Sequence, residues 1–295
     1  MKLLVIGGSA LLGSKIMRAA SRGFHTIGTY YSHPFEMKNC EIVRLDITNK
    51  DQTLELIKRL GPDCVILTSA QTNVDRCETH PEEAWRINVE GAKNVSEACK
   101  KDVKLIYVST DYVFDGEKGF YTEEDVPNPI SVYGKTKLAG EKTVQNICND
   151  YAIARASVLY GWNTITSKLN FITWVLDKLK KGEEVGLFTD QYTSPTLADN
   201  AAQALLAILK KDKRGLYHTS GKDCISRFEI GKRIAKIFEL NEELVKPITS
   251  DKIDLPAKRP LKCCLDVSKA EKELDIKLIT VDEGLLEMEK TEPKN

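Results

Sequence analysis

Apolar and polar positions follow two alternating periods through the first half of the chain. "KLLVIG" is an apolar run stopped by Gly7 and Gly8, which predicts a buried strand. "LLGSKIMRAASRG" then carries Leu12, Ile16 and Ala20 at helical spacing and ends at Gly23. "HTIGTYY" and the alternating "EIVRLDI" read as strands, "KDQTLELIKRLGP" as a helix stopped by Gly61-Pro62, and "DCVILTSA" as a further buried run. In "THPEEAWRINVEGAKNVSEACKK", Thr79 and Glu82 stand at capping-box spacing with Pro81 in the first turn, which predicts a helix. "VKLIYVST" is another buried strand. A helix opening near Tyr133 and a strand in "YAIARASVLYG" follow. Strands alternating with helices in this way predict a parallel sheet covered on both faces.

After Gly161 the pattern loosens into a helix ("SKLNFITWVLDKLKKG"), a short apolar piece ("EVGLFTD"), a helix ("LADNAAQALLAILKK"), a strand ("GLYHTSG"), a helix ("RFEIGKRIAKIFEL") and a Pro-interrupted tail. The expected fold is α/β: a Rossmann-type doubly wound parallel sheet with a smaller, interleaved C-terminal substrate lobe. Residues 1–160 would form the dinucleotide-binding domain, with 195–220 returning to it. Residues 161–194 and 221–295 would form the lobe.

Charge narrows the function classes. Lys+Arg and Asp+Glu both total 43 in 295 residues. That balance argues against nucleic acid as a partner, since phosphate affinity rests on net positive patches. "KKDKR" reads as the solvated end of a helix, where cations suit the dipole. No stretch reaches the ~18–20 apolar residues of a membrane span, and "MKLLVIGG" is too short for a signal peptide. The eight cysteines form no C-x-x-C pair, so reduced thiols in a cytoplasm are expected. The four histidines form no ligand-spaced pair, and no protein-built metal site is expected.

The first candidate chemistry is the turn "IGGSALLG". Gly7 and Gly13 bracket it, Ala10 stands where a middle glycine would fall, and Ser9, Leu11 and Leu12 fill the rest. Small residues let backbone approach a pyrophosphate, whose charge meets the helix N-terminus. The second strand ends "GTYYSH" with no acid to take a ribose 2′-hydroxyl and no arginine in its place. The pattern therefore favours NADP(H) and permits NAD(H), with Tyr30, Tyr31 and Ser32 as candidate contacts; an ordinary loop with two tyrosines is the competing reading. Asp46 and Ile47 follow the next strand and are placed to meet the adenine, unless Asp46 serves as an N-cap.

The second is "YGKTKLAG". Tyr133 and Lys137 stand at i and i+4 and share a helix face. An ammonium beside a phenol would lower its pKa and bring it toward proton exchange at neutral pH. "STD" (Ser109–Asp111) closes a buried strand, where ligands bind in open α/β sheets. Thr110 is placed to hydrogen-bond the carbonyl oxygen that Tyr133 protonates.

Together, G-x-x-x-x-x-G, S-T-D and Y-x-x-x-K resemble the extended short-chain dehydrogenase/reductases. "STDYVFDG", "YGKTKLAGEK", "TNVDRCETHPEEAWRINVEG", "DQYTSPT" and "AKRPLKCCLDVSK" resemble the dTDP-4-dehydrorhamnose reductase family over nearly the whole length. The resemblance implies reduction of a 4-keto-6-deoxy sugar nucleotide, dTDP-4-dehydrorhamnose to dTDP-L-rhamnose, by a protein that can form a homodimer. Tyr133 would give the proton, Thr110 would bind the oxygen and Lys137 would anchor the ribose. Thr68, Ser69, Ala70 and Thr72 would line the cofactor, and Val74, Asp111, Val158 and Arg259 the substrate. Arg259, between Pro256 and Pro260, is the candidate cation for the substrate's pyrophosphate. The departures are Val158 where the family commonly has a sugar-contacting tryptophan, Thr29 for an acid near the end of the second strand, and Gln71 for a tyrosine. The regulatory β subunit of methionine adenosyltransferase shares most of these motifs and stands as the alternative, a nucleotide-binding partner without catalysis. An epimerase is disfavoured by the missing acid, and a 4,6-dehydratase by Tyr112 after Thr110-Asp111.

Overall fold

The computed structural model describes residues 1–100 and 102–293. Lys101, the last residue of one predicted helix, and positions 294–295 of the expected lobe lie outside the described residues. The first half runs β1 (Lys2–Ile6), α1 (Leu11–Ala20), β2 (His25–Tyr30), β3 (Cys40–Arg44), α2 (Lys50–Leu60), β4 (Cys64–Leu67), α3 (Val74–Thr79), α4 (Pro81–Trp85), α5 (Gly91–Cys99), β5 (Lys104–Thr110), α6 (Val132–Ile147) and β6 (Tyr151–Ala156). The second half runs β7 (Leu159–Tyr160), α7 (Phe171–Lys180), β8 (Val185–Phe188), β9 (Tyr192–Thr193), β10 (Thr196–Leu197), α8 (Ala198–Lys210), β11 (Gly215–His218), β12 (Ile225–Ser226), α9 (Arg227–Ile237), β13 (Val245–Ile248), β14 (Lys262–Cys263), α10 (Ser268–Leu274) and α11 (Val281–Lys290).

Seven parallel strands form the main sheet in the order β11-β6-β5-β4-β1-β2-β3. The order reverses between β1 and β4, which opens a crevice at the strands' carboxyl ends. Both sheet faces are buried, which is why the strands read as apolar runs without strict alternation. Leu3 and Val5 pack against α1 and α8, while Leu4 and Ile6 pack into the core shared with α2 and α5. Val267, Ala270 and Leu274, around α10, join the first of these cores, so the C-terminal part of the chain is divided between the sheet and the lobe. The lobe has its own core of Ile172, Leu176, Ile230, Ile234 and Leu285.

Two local expectations give way to other physics. The helix expected from Thr79 is broken. Thr79 ends α3 and its hydroxyl donates to the Asp75 carbonyl at 3.1 Å, so it caps nothing. His80 precedes α4 without a side-chain cap, and a π turn at Arg86–Glu90 joins α4 to α5. Cys224 and Cys264, 40 residues apart, are bonded to each other, against the expectation of eight reduced thiols. The pairing is non-local: β12 and β14 flank β9 on either side, and that sheet brings the two loops together.

Candidate active site

The glycine turn is built by close packing. Gly7 has φ +95°, and a Cβ there would sit 2.6 Å from Thr68 Oγ1 and 2.7 Å from Ser69 Oγ. A Cβ on Gly13 would lie 2.1 Å from the Gly7 carbonyl oxygen. Thr29 ties the turn to β2: its hydroxyl accepts from the Gly7 N–H at 3.2 Å and its carbonyl from Gly8 at 2.7 Å. Thr29 is therefore spent inside the fold and does not take the place of a ribose-binding acid. Ala10 precedes α1 with no side-chain cap, and the first turn holds no acid, so the amides from Leu11 to Gly13 are open to an anion. Residues too small for a cap, a backbone cradle that any Cβ would fill, and a free helix N-terminus fit a dinucleotide's pyrophosphate.

Tyr30 ends β2 and pairs in register with Arg44. Tyr31 is exposed, and Ser32 is engaged with the His33 ring at 2.8 Å. Arg44, which the sequence reading passed over, donates from Nε to the Tyr31 carbonyl at 3.3 Å and lies 6.0 Å from that ring's centre. Only the parallel β2–β3 register, which puts the last residue of each strand side by side, brings it there. Asn49, and not Asp46, caps α2. Asp46 Oδ1 accepts from the amide and hydroxyl of Thr48 at 2.9 and 2.8 Å. Ile47 turns into the core, where its side chain fills the space left by Gly91, and so is not free for an adenine. After β4, Thr68 donates to the Ile6 carbonyl at 2.8 Å, Ser69 and Ala70 stand half-buried beside the turn, and Thr72 is exposed. Asn88, unremarked in the sequence, holds this loop. Its side-chain oxygen accepts from Gln71 N at 2.8 Å, and its amide donates to Gln71 O at 3.1 Å and Thr136 Oγ1 at 3.0 Å. The π turn is what aims it there.

Tyr133 lies in the first turn of α6, which Ser131 caps by accepting from Gly134. The end of β5 places Thr110 beside its phenol. Burial raises the Tyr133 pKa, against a smaller lowering by Thr110, so the phenol stays protonated at neutral pH. This reverses the expectation that Lys137 lowers it. The ammonium is turned instead to β5, donating to Tyr107 Oη at 2.8 Å and the Val108 carbonyl at 2.7 Å. Burial pulls Lys137 down to about 7.

Asp111 is also inside, and not on a substrate-facing surface. It accepts from Thr110 at 2.9 Å and from Ser157 at 2.6 Å. Burial pushes its carboxyl up to about 6 against those two hydrogen bonds and the nearby Arg227. Its placement makes it a support for Thr110. Val158, next to Ser157, has φ +37°, a strained backbone for a β-branched residue and one that clusters at functional sites. Val74 opens α3. Arg259 is taken: Nη2 meets Asp75 at 2.7 Å and Nη1 donates to the Ala257 carbonyl at 2.9 Å. Burial raises the Asp75 carboxyl, but Arg259 outweighs it and holds the group below the usual range. Arg259 is thus a tie between the tail and α3. A further cation of the lobe, Arg227, stands at the start of α9. It stacks 4.6 Å above the Phe171 ring, has no ion pair among the described residues, and acts on both Asp111 and Tyr112.

A Rossmann sheet, an open glycine turn at its switch point, and a Thr–Tyr–Lys group from the carboxyl end of β5 and the start of α6 define an NAD(P)H-dependent oxidoreductase of the extended short-chain dehydrogenase/reductase type. The family model described as "RmlD substrate binding domain" matches residues 1–292, and the chain belongs to that family. It is 36% identical over 98% of its length to a probable low-salt glycan biosynthesis reductase, Agl14, of Haloferax volcanii, covering 97% of that protein. It is 32% identical to a dTDP-4-dehydrorhamnose reductase of Aggregatibacter actinomycetemcomitans, over 93% of this chain and 94% of the other. With subunit beta of methionine adenosyltransferase 2 from Mus musculus it shares 30% over 92% of this chain and 81% of that one. Among solved structures, the dTDP-4-dehydrorhamnose reductase of Bacillus anthracis in complex with NADP superposes with a TM-score of 0.85 at 28% identity, covering 98% and 99% of the two chains. No helix among the described residues is long and apolar enough to cross a membrane.

Proposed function

We propose that the protein reduces the 4-keto group of a 4-keto-6-deoxy sugar nucleotide, with dTDP-4-dehydrorhamnose to dTDP-L-rhamnose as the leading substrate pair, in a cytoplasmic setting. The observation that carries this reading is Thr110, at the carboxyl end of β5, set beside the phenol of a half-buried Tyr133 in the first turn of α6. Bound NADPH supplies the hydride. Tyr133 gives its proton to the oxygen of the same carbonyl as the general acid. The Thr110 hydroxyl, now donating to Asp111, becomes the second donor when its hydrogen turns to that oxygen. Lys137 has two of its three hydrogens on β5 and one left for the nicotinamide ribose. Arg227, unpaired and stacked on Phe171, takes the substrate's diphosphate in place of the engaged Arg259. The test is loss of NADPH absorbance with such a sugar nucleotide, together with a KM raised about tenfold or more in Arg227→Ala and little changed in Arg259→Ala.

A regulatory role is the second reading. Val158, where a sugar-contacting tryptophan is common, and the 30% identity to the adenosyltransferase subunit favour it. NADPH binding without turnover of any keto sugar, and with a methionine adenosyltransferase bound, would place that role first.

A further inference from the structure

Lys137 is buried, yet among the described residues no carboxylate pairs with it. The nearest acid, Glu141 one turn on, has both oxygens on Arg155 of β6, at 2.9 and 2.7 Å. What meets the ammonium is neutral: the Tyr107 phenol oxygen at 2.8 Å and the Val108 carbonyl at 2.7 Å, with the Tyr107 ring centre 4.0 Å away. The fold makes room for that phenol. A Cβ on Gly140 of α6 would lie 2.3 Å from Tyr107 Oη and 2.8 Å from the Asn88 carbonyl oxygen. Glycine in mid-helix is unfavourable relative to alanine, and here its lack of a side chain is what lets the hydroxyl sit against α6 under the lysine.

We infer that Tyr107 is a positioning residue for Lys137, its phenol oxygen taking one ammonium hydrogen so that the charge is kept and the remaining hydrogen is aimed at the cofactor's ribose. The charged or titratable groups facing the lysine are Glu141 and Tyr133 from α6, Arg155 from β6 through its pair with Glu141, and Tyr107 from β5; Asn88, from the π turn, carries no charge. Burial disfavours the ammonium and Glu141 favours it. Burial also raises the Tyr107 phenol far above its ordinary value, so it stays neutral and serves as acceptor throughout the working range. Removing that acceptor destabilises the charged form alone, and the lysine then loses its proton at lower pH.

The inference rests on the cofactor half of the proposed function and not on the sugar, so the test reads NADPH binding. NADPH is titrated by fluorescence from pH 5.5 to 9 with the wild type, Tyr107→Phe, Lys137→Met and the double variant. Affinity in the wild type is expected to fall as pH rises through the lysine's titration. Tyr107→Phe should move that fall down by about one pH unit and weaken binding about three- to tenfold at pH 7. In the Lys137→Met background it should cost nothing further. A pH profile that superposes on the wild type, or an equal loss in both backgrounds, overturns the inference. Should Tyr107→Phe fold poorly, the Lys137 ε-methylene is followed by NMR in the wild type and in Gly140→Ala, whose added Cβ would lie 2.3 Å from Tyr107 Oη. A lysine that titrates lower in the variant supports the inference, and an unchanged titration overturns it. Failure of the wild type to bind NADPH at all would overturn it together with the cofactor reading, whereas binding without sugar turnover leaves it standing.

Discussion

Burial sets the chemistry of single side chains in this crevice. The i, i+4 spacing of Tyr133 and Lys137 placed the pair on one helix face, and that much was legible. The sign of the effect was not, because the lysine's partners come from β5, far away in sequence. As the proposed general acid, Tyr133 is tested by Tyr133→Phe, which should lower turnover by about 10²–10⁴-fold while leaving NADPH affinity nearly intact. Turnover within a few-fold of wild type would remove Tyr133 from the acid's role. Asp111 yields a second prediction. Its folded pKa, about 6, lies above the unfolded ~3.9, so it binds its proton more tightly when folded. The stability this gives is fully present below pH ~4 and is lost as pH rises through about 6, on the order of 2–3 kcal/mol. Asp111→Asn lacks this titration. Its melting temperature relative to wild type should therefore rise between pH 4 and 7; a constant difference would contradict the assignment.

At the scale of elements, the sequence showed which runs were strands and helices but not what each end touches. The apolar runs of β1, β4 and β5 are buried on both faces, and such runs are read easily. The helix expected from Thr79 failed because a π turn interrupts it, and no local signal in "EEAWRINVE" announces one. Arg44 was missed for a related reason: it is four residues inside "EIVRLDI" counted from the strand's start, and only the β2–β3 register brings it to Tyr31. In place of an acid, this end of the sheet presents a guanidinium, which suits a ribose 2′-phosphate. Arg44→Ala should weaken NADPH binding about tenfold and leave NADH binding within twofold. Titrating both cofactors checks it. Equal losses for the two would show that Arg44 supports the loop and not the phosphate.

The whole molecule joins a sheet that bears the glycine turn and the end of β5 to a C-terminal part with a core of its own. Arg259 was read from sequence as the cation for the substrate's pyrophosphate, an arginine fork on a loop stiffened by two prolines. In the structure its bond to Asp75 ties the tail to α3. The Cys224–Cys264 bond fastens the same region from the other side, between the loop after β11 and the end of β14. Closing a loop of 40 residues is worth about 4 kcal/mol in the chain-entropy account. Thiol titration of the denatured, unreduced protein should find six of the eight cysteines free. Eight would show that the pair is open in solution.

The central claim is that this crevice carries hydride to a keto sugar while its own tyrosine delivers the proton. Incubating the protein with a 4-keto-6-deoxy sugar nucleotide and NADPH deuterated at the transferable position reads that claim directly by mass spectrometry and NMR of the product. The account predicts one deuterium, on carbon 4 of the sugar, and its loss in Tyr133→Phe to the same extent as turnover. A protein that binds the cofactor and yields no deuterated sugar would contradict it.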